Sequence, residues 1–308
     1  MPGLARNSAL APILATLILG LAGPCQAKAE DVLGVRPTFT ERALGLTPPA
    51  KIPNAQAITR RIWSPGLDEG YVPQGLSLVS GALYLGTYRS ADVAVGRGPC
   101  RLFRVDPVAG AVTATLDLPP SCGHAGGLAR GATPDRLWVV DSRTMFEVEL
   151  TPRHASSLGR IVREVRVEAP LKGSFAAGDG TALWLGTYER DGSGRLDRIP
   201  LSAIDGAVIG NRHSTKTIPI PPKAQGAAFD AAGHLWIAMS GAAFGALVRL
   251  DPSTGAIQRR YRLPAGLEDL SFDPAGRLWT VSEAGSRRWS SWPTFFPVIF
   301  QLDLARLR

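Results

Sequence analysis

An all-β architecture of five similar sheets is predicted by three observations. Five times a turn-rich stretch runs into a short apolar strand marked by Leu-Tyr or Leu-Trp: GLSLVSGALYLGTYRS (75–90), GLARGATPDRLWVVDSR (127–143), SFAAGDGTALWLGTYER (174–190), GAAFDAAGHLWIAMSG (226–241) and DLSFDPAGRLWTVSEAG (269–285). The marks Tyr84, Trp138, Trp184, Trp236 and Trp279 follow one another at steps of 54, 46, 52 and 43 residues. A period near fifty with several short strands per unit is the pattern of a β-propeller, here five-bladed. The 34 glycines and 25 prolines are spread along the whole chain, which suits many tight turns better than a disordered tail.

Each repeat divides into strands. The first is predicted at 75–79, 82–87, 101–106 and 111–118, and the second at 127–130, 136–141, 145–150 and 161–167. The third falls at 174–177, 182–188, 195–200 and 214–220, and the fourth at 226–229, 234–239, 246–250 and 256–263. Asp106-Pro107-Val108-Ala109-Gly110 and Asp251-Pro252-Ser253-Thr254-Gly255 place Pro early and Gly late, as a tight hairpin requires. Asp273-Pro274-Ala275-Gly276 repeats the device. The fifth repeat has only 269–272, 277–282 and 296–304. Its missing strand is predicted upstream, at 57–63, so that an N-terminal strand closes the last blade and protects its edge. A six-bladed ring is the alternative and needs a full blade from residues 30–73, where one convincing strand is visible.

The first 29 residues read as a signal peptide. Arg6 precedes an uncharged run from Ala9 to Ala22, and Ala27-Lys28-Ala29 fits a small-x-small cleavage site. Cleavage after Ala29 leaves a single propeller over 30–308 and a secreted or periplasmic address. A lipidated Cys25 is disfavoured by Pro24 before it. Removing 1–29 takes Arg6 and Lys28 and no acid, which leaves a net charge of +6. No long basic run gathers that charge, so a soluble basic exoprotein is expected rather than a binder of nucleic acid or a membrane surface. The partner expected is a small-molecule ligand or substrate, with no nucleic acid, no membrane span and a monomeric chain. Cleavage leaves Cys100 and Cys122, an even pair expected to form a disulfide in an oxidising compartment.

In propeller geometry the loops after the second and fourth strands share one face. Aligning the repeats places Gln74, Gly126, Gly173, Gln225 and Glu268 at the starts of the innermost strands on that face, followed by Gly75, Gly127, Ser174, Gly226 and Asp269. A second ring comes from the ends of the second strands: Tyr88, Arg89, Asp141 to Arg143, Tyr188 to Arg190, Ser240, Ser282 and Glu283. His124 lies in Cys122-Gly123-His124-Ala125-Gly126-Gly127, a run of little bulk that permits close approach. His154, His213 and His234 fall outside this mouth. Two readings stand for each polar group. Gln74 and Gln225 either satisfy strand ends around a wet channel or hold a ligand. Glu268 and Glu283 either form ion pairs with Arg143 or Arg287, or do chemistry. The insertion 284–293, with Arg287, Arg288, Trp289 and Trp292, either stacks on a ligand or covers the ring closure.

Gly-x-Ser-x-Gly, His-Glu-x-x-His, Walker and zinc spacings are absent from the sequence, so serine nucleophiles and zinc chemistry lack support. The stretch Phe272-Asp273-Pro274-Ala275-Gly276-Arg277-Leu278-Trp279-Thr280-Val281-Ser282-Glu283 resembles blades of the gluconolactonase/senescence-marker-type lactonases, of NHL repeats and of esterase-like phytases. The resemblance spans all five repeats as a general blade pattern. The lactonase group implies a divalent metal in the channel, held by carboxylate, amide and water and polarising a carbonyl. Glu268 and Gln225 are matching residue types at matching places, whereas the ring offers one clear inner carboxylate, with Asp269 expected to point away. Five-bladed nucleotide hydrolases with a channel calcium are similar in layout.

Two functions follow. The first is a metal-assisted hydrolase of a small lactone, ester or phosphoester. Glu268, Gln225 and Gln74 would hold Ca²⁺ or another divalent cation, and His124 or Glu283 would act as base. The second is a non-catalytic envelope propeller that binds a small molecule, glycan or peptide through Tyr88, Arg143, Tyr188, Trp289 and Trp292.

Overall fold

The computed structural model describes residues 1, 3, 32–39, 46–48, 51–152 and 156–308. The expected leader and cleavage site, Cys25 and His154 lie outside the described residues, apart from Met1 and Gly3. Five sheets stand in a ring. Blade 1 contains β2 (Tyr71–Val79), β3 (Ala82–Arg89), β4 (Cys100–Val105) and β5 (Val112–Asp117), preceded in the chain by β1 (Ile58–Trp63). Blade 2 contains β6 (Gly127–Arg130), β7 (Arg136–Asp141), β8 (Thr144–Leu150) and β9 (Gly159–Val167). Blade 3 is β10 (Phe175–Gly178), β11 (Ala182–Gly186), β12 (Gly194–Pro200) and β14 (Lys216–Ile220); β13 (Val208–Ile209) falls between the last two in the chain but outside their sheet. Blade 4 is β15 (Ala224–Phe229), β16 (Leu235–Met239), β17 (Gly245–Leu250) and β18 (Ile257–Leu263). Blade 5 is β19 (Leu267–Phe272), β20 (Leu278–Ser282), β21 (Val298–Leu302) and, outermost, β1.

The expected closure is therefore present. Ile62 pairs with Ile299 and Trp63 with Val298, so antiparallel bonds join the two ends of the propeller sequence. One strand was not expected: β13 runs parallel to β9 and widens blade 2 to five strands. Two residues carry too little pattern to be read as a strand without knowing what they pair with. No helix among the described residues is long and apolar enough to cross a membrane.

Burial explains why the strands differ along each blade. Inner strands pack between neighbouring blades and are buried on both faces, as in β2, so their sequences are apolar or small throughout. Outer strands such as β9 alternate, with every second residue exposed along Arg160–Arg166. The five aromatic marks are core anchors, all at most 5% exposed. Two also lock their own turns, since the Trp184 and Trp236 indoles donate to Asp179 and Asp230 at 2.8 and 2.9 Å. The Asp-Pro turns close as expected: Asp106 and Asp251 each accept the N–H two residues on, at 2.7 Å, and Gly110 and Gly255 take φ of 71° and 78°.

The inner strands meet where a β-bulge opens blades 1, 4 and 5, between Pro73 and Leu76, Ala224 and Gly226, and Leu267 and Leu270. A bulge breaks the alternation of a strand, so consecutive side chains can point the same way. Glu268 and Asp269 do so, and both are buried. Asp269 does not turn away from the channel. Its carboxyl accepts the N–H of Leu76 in blade 1 at 3.0 Å and of Leu128 in blade 2 at 2.8 Å. It also accepts from its own neighbour Leu270 and from Ala227 of blade 4. The approach requires glycine: a Cβ on Gly226 would stand 2.4 Å from the Asp269 Cα, and one on Gly127 would stand 2.4 Å from the Ala176 N. Asp269→Ala leaves these buried N–H groups without an acceptor, and a loss of about 3–5 kcal/mol is expected in urea unfolding. Asp269→Asn, which keeps one carbonyl oxygen, should lose less. Wild-type stability in both variants would refute the role.

Cys100 and Cys122 are bridged, with Cα atoms 5.9 Å apart and a sequence separation of 22. The bridge ties the start of β4 to the loop that carries His124. Closing a loop of this length contributes about 3 kcal/mol in the chain-entropy model. The Cys100→Ser/Cys122→Ser variant should lower the urea midpoint accordingly, and an unchanged midpoint would show that the bridge adds nothing.

Candidate functional site

Two carboxyls converge at the channel mouth, both from blade 5. Glu268 lies in the β19 bulge and Glu283 directly follows β20, and Leu267 pairs with Ser282 between them. They are 1% and 5% exposed and hydrogen-bond to each other. Around them stand N–H and O–H donors. Gln74 Nε2 and Trp289 Nε1 donate to Glu283 Oε2 at 3.0 and 2.6 Å. Gln225 Nε2 donates to Glu268 Oε1 at 3.4 Å, and the Ser240 hydroxyl donates to the same carboxyl. Neither glutamate pairs with Arg143 or Arg287.

Burial pushes Glu268 well above the ordinary carboxylate range, and the Glu283 charge beside it pushes the same way. Glu283 is raised by burial to about 7, opposed by the Trp289 bond, the Arg288 charge and the Gln74 bond. Two carboxyls so close cannot both ionise cheaply, so the pair shares a proton near neutrality.

The wall beside the pair is aromatic. Tyr88 stacks on His124 with ring centres 4.3 Å apart and planes 21° apart. Arg288 Nη1 donates to the Tyr88 hydroxyl. Burial and the Glu283 charge raise the Tyr88 phenol. His124 is held down by burial, and its Nδ1 lies 3.2 Å from the Gly96 carbonyl. Tyr188 is half-buried and raised by burial, with Glu268 and Glu283 adding to the shift. Asp141 positions the His124 loop by accepting from Gly123 and Ala125 N–H at 3.0 and 3.2 Å. A strap from β3 to β4 lies over the same corner, where Arg288 donates to the Val93 carbonyl at 3.2 Å.

The structure thus brings Gln74, Gln225, Glu268 and Glu283 into direct contact, with Trp289 turned inward onto Glu283. Trp292 backs Trp289 in a stack with a 4.7 Å centre distance. Arg143 is exposed, and its guanidinium donates to the Leu171 carbonyl at 2.5 Å, holding a neighbouring loop. Sequence reasoning missed the Gly96 and Val93 carbonyls, which carry no side-chain signal, and the contact between the two glutamates.

The donor set does not fit a divalent cation as arranged. Two carboxyls and two amides are the right chemistry for a hard ion. Gln74 and Gln225, however, present N–H rather than oxygen to the carboxyls, Trp289 has no oxygen to offer, and the carboxyls bond each other. Among the described residues no group of three or more His, Cys, Asp or Glu is placed to hold a metal ion.

A cavity of about 720 Å³ opens on the opposite face, lined by Ser77, Arg130, Phe229, Ser271 and the hairpin turns. Its acids are consumed locally: Asp230 by His234 and Trp236, Asp273 by Arg277 and Gln301. The ionisable chemistry is at the Glu268–Glu283 mouth, not in this cavity.

Linkage sets a measurable pH dependence. The folded state keeps protons that the unfolded chain, with Glu near its ordinary 4.5, releases. The protonated pair is fully compatible with folding below about pH 4.5, and stability falls as pH rises through about 7. Thermal unfolding from pH 5 to 8 should show this decline in the wild type and a smaller one in Glu268→Gln/Glu283→Gln. Parallel curves would refute the shared proton.

No family model and no curated protein matches this chain. Among solved structures it is similar to a Myxococcus xanthus glutaminyl cyclase, at 16% identity and a TM-score of 0.53, over 80% of this chain and 97% of that one. It is also similar to a PQQ-bound aldose sugar dehydrogenase from Streptomyces coelicolor, at 14% identity and a TM-score of 0.49, over 80% and 97% of the two chains. A calcium-binding regucalcin from Agrobacterium tumefaciens shares 18% identity with a TM-score of 0.43, over 80% and 93%. The likeness to the glutaminyl cyclase shows the fold alone, and it agrees with the observed ring of sheets: the protein is a five-bladed β-propeller.

Proposed function

We propose that the protein is an enzyme of the general acid–base type, hydrolysing a small lactone or ester at the Glu268–Glu283 mouth. The observation that carries this reading is the buried carboxyl pair, with one member poised at about pH 7, where a group can both take and return a proton. Glu283, ionised, removes a proton from water as the water oxygen attacks the carbonyl carbon. Glu268, protonated, donates a hydrogen bond to the carbonyl oxygen and supplies the proton that the departing alkoxide needs. The bond between the two carboxyls then returns the proton from Glu283 to Glu268. Tyr88 and Tyr188 wall the substrate, and His124, stacked on Tyr88, sets the position of that wall. The cyclase likeness supports the reading only in that the fold accommodates an enzyme.

A screen of lactones and esters from pH 5 to 8 tests the proposal. Glu283→Gln should lower kcat/KM about 100-fold or more and Glu268→Gln about 10–100-fold. The activity should rise with pH through the Glu283 value. Trp289→Phe removes a bond that holds this value down, so the rise should move to higher pH with the fold intact. Full activity in both glutamine variants would refute the mechanism. Activity lost on chelation and restored by Ca²⁺ would make the pair a ligand set instead. A ligand that stabilises the protein without turnover, insensitive to Glu268→Gln and lost in Trp289→Ala, would establish a binding propeller that uses the Trp289–Trp292 stack.

A further inference from the structure

The carboxyl pair is shut in. Glu268, Glu283, Gln74 and Tyr88 are all at most 5% exposed. A carbonyl attacked by water at Glu283 must come within hydrogen-bond reach of both carboxyls, and side chains this deeply buried offer it no surface to meet. Access therefore requires part of the rim to move, and the rim differs sharply in how it is held. The insertion between β20 and β21 is rooted in the core, where Ala284, Ser286, Phe295 and Phe296 are all buried. The strap between β3 and β4 is not. Every residue from Ala91 to Arg97 is exposed, the apolar Val93 and Val95 included. No side-chain burial holds the tip of this strap, so polar contacts must, and segments held in that way open at low free-energy cost.

Those contacts gather on Arg288, His124 and Arg97. Arg288, on the 3₁₀ turn Arg287–Trp289 of the insertion, donates from Nη2 to the Val93 carbonyl at 3.2 Å and from Nη1 to the Tyr88 hydroxyl. His124 Nδ1 meets the Gly96 carbonyl at 3.2 Å. Arg97 reaches back to Asp141 at 3.2 Å and lies so close to the His124 loop that a Cβ on Gly123 would stand 2.5 Å from its Nε. The base of the strap is closed by backbone bonds: Arg89 N–H donates to the Pro99 carbonyl and Gly98 N–H to the Gly123 carbonyl, both at 2.9 Å. The part that can swing is thus 91–97. Arg288 is its hook, because the adjacent Trp289 holds Glu283 while the guanidinium holds the strap. Among the described residues Arg288 Nε is buried without a hydrogen-bond partner, a cost that closure carries and opening relieves.

We propose that residues 91–97 form a lid over the Glu268–Glu283 pair, closed in this structure and latched by Arg288, that swings away to admit substrate and shuts to exclude water. The proposal rests on the reading of that pair as the reactive site. Loop closure of this kind sequesters a reaction from solvent and completes the wall around the substrate.

The test reads the lid in the full chain without turnover. By hydrogen exchange and mass spectrometry, the amides of 91–98 should exchange about tenfold faster in Arg288→Gln than in the wild type, with those of blade 3 unchanged. A water-soluble carbodiimide with glycine ethyl ester should label Glu268 and Glu283 slowly in the wild type and about tenfold faster in Arg288→Gln. Because Arg288→Gln also removes a charge that holds Glu283 down, Arg97→Gln, which cuts the tether at Asp141 instead, must move both readouts the same way. It carries the test alone should Arg288→Gln fail to fold. Labelling of the wild-type pair as fast as that of the exposed Glu164 would show that nothing covers it and overturn the proposal. So would strap exchange unchanged in both variants, or faster labelling accompanied by opening of 187–193 rather than 91–97. Failure of the hydrolytic reading looks different: Glu283→Gln then keeps full turnover, while exchange and labelling still report a lid.

Discussion

One carboxyl group holds the centre of this propeller. Five blades that lean on one another through inner strands need something at the axis to satisfy N–H groups along the free inner edges of those strands. Asp269 does this for strands of blades 1, 2, 4 and 5 together. Burial makes the group expensive to ionise, and the surrounding N–H donors offset that cost. The bulge that turns Asp269 to the axis also releases its neighbour Glu268 toward the mouth. The tie that organises the ring and the acid that equips it are thus consecutive residues of one irregular strand.

The mouth is built by the same economy. A raised carboxyl is a stability cost at neutral pH, and two of them adjacent are a larger one. That cost is borne by a blade whose strands β19, β20 and β21 are almost wholly buried. The polar neighbours temper the pair without quenching it: Gln74, Gln225, Ser240 and Trp289 donate to the carboxyls but bring no full positive charge into bonding distance. Arg288 is drawn aside onto the Tyr88 hydroxyl and the Val93 carbonyl.

Much of the architecture was legible in the chain because propellers repeat. The Leu-aromatic marks located the second strands, the Asp-Pro-x-x-Gly turns located hairpins, and the deficit of one strand at the end pointed back to 57–63. The alignment also brought Gln74, Gln225 and Glu268 to one ring. What stayed hidden depends on broken periodicity and on distance in sequence. A bulge has no composition of its own, so the inward turn of Asp269 could not be read from a strand rule that alternates faces. Glu268 and Glu283 belonged to two separate rings in the alignment, and only the shifted register of β19 on β20 makes them touch. Arg143 looked like part of the mouth by position, but a side chain of that length goes where an acceptor is, and Leu171 supplies one.

The closing strand gives the site a history as well as a position. Glu268 and Glu283 lie on β19 and just past β20, in the one sheet whose fourth strand comes from the far end of the propeller sequence. Contacts between residues this remote form late, because the loop they close is nearly the whole ring. A chain emerging N-terminus first can assemble four blades while β1 still waits for β21. Until those two strands meet, blade 5 has an open edge and the carboxyls have no dry pocket to raise their affinity for protons. The chemistry of the mouth is therefore a property of the finished circle and not of any arc of it.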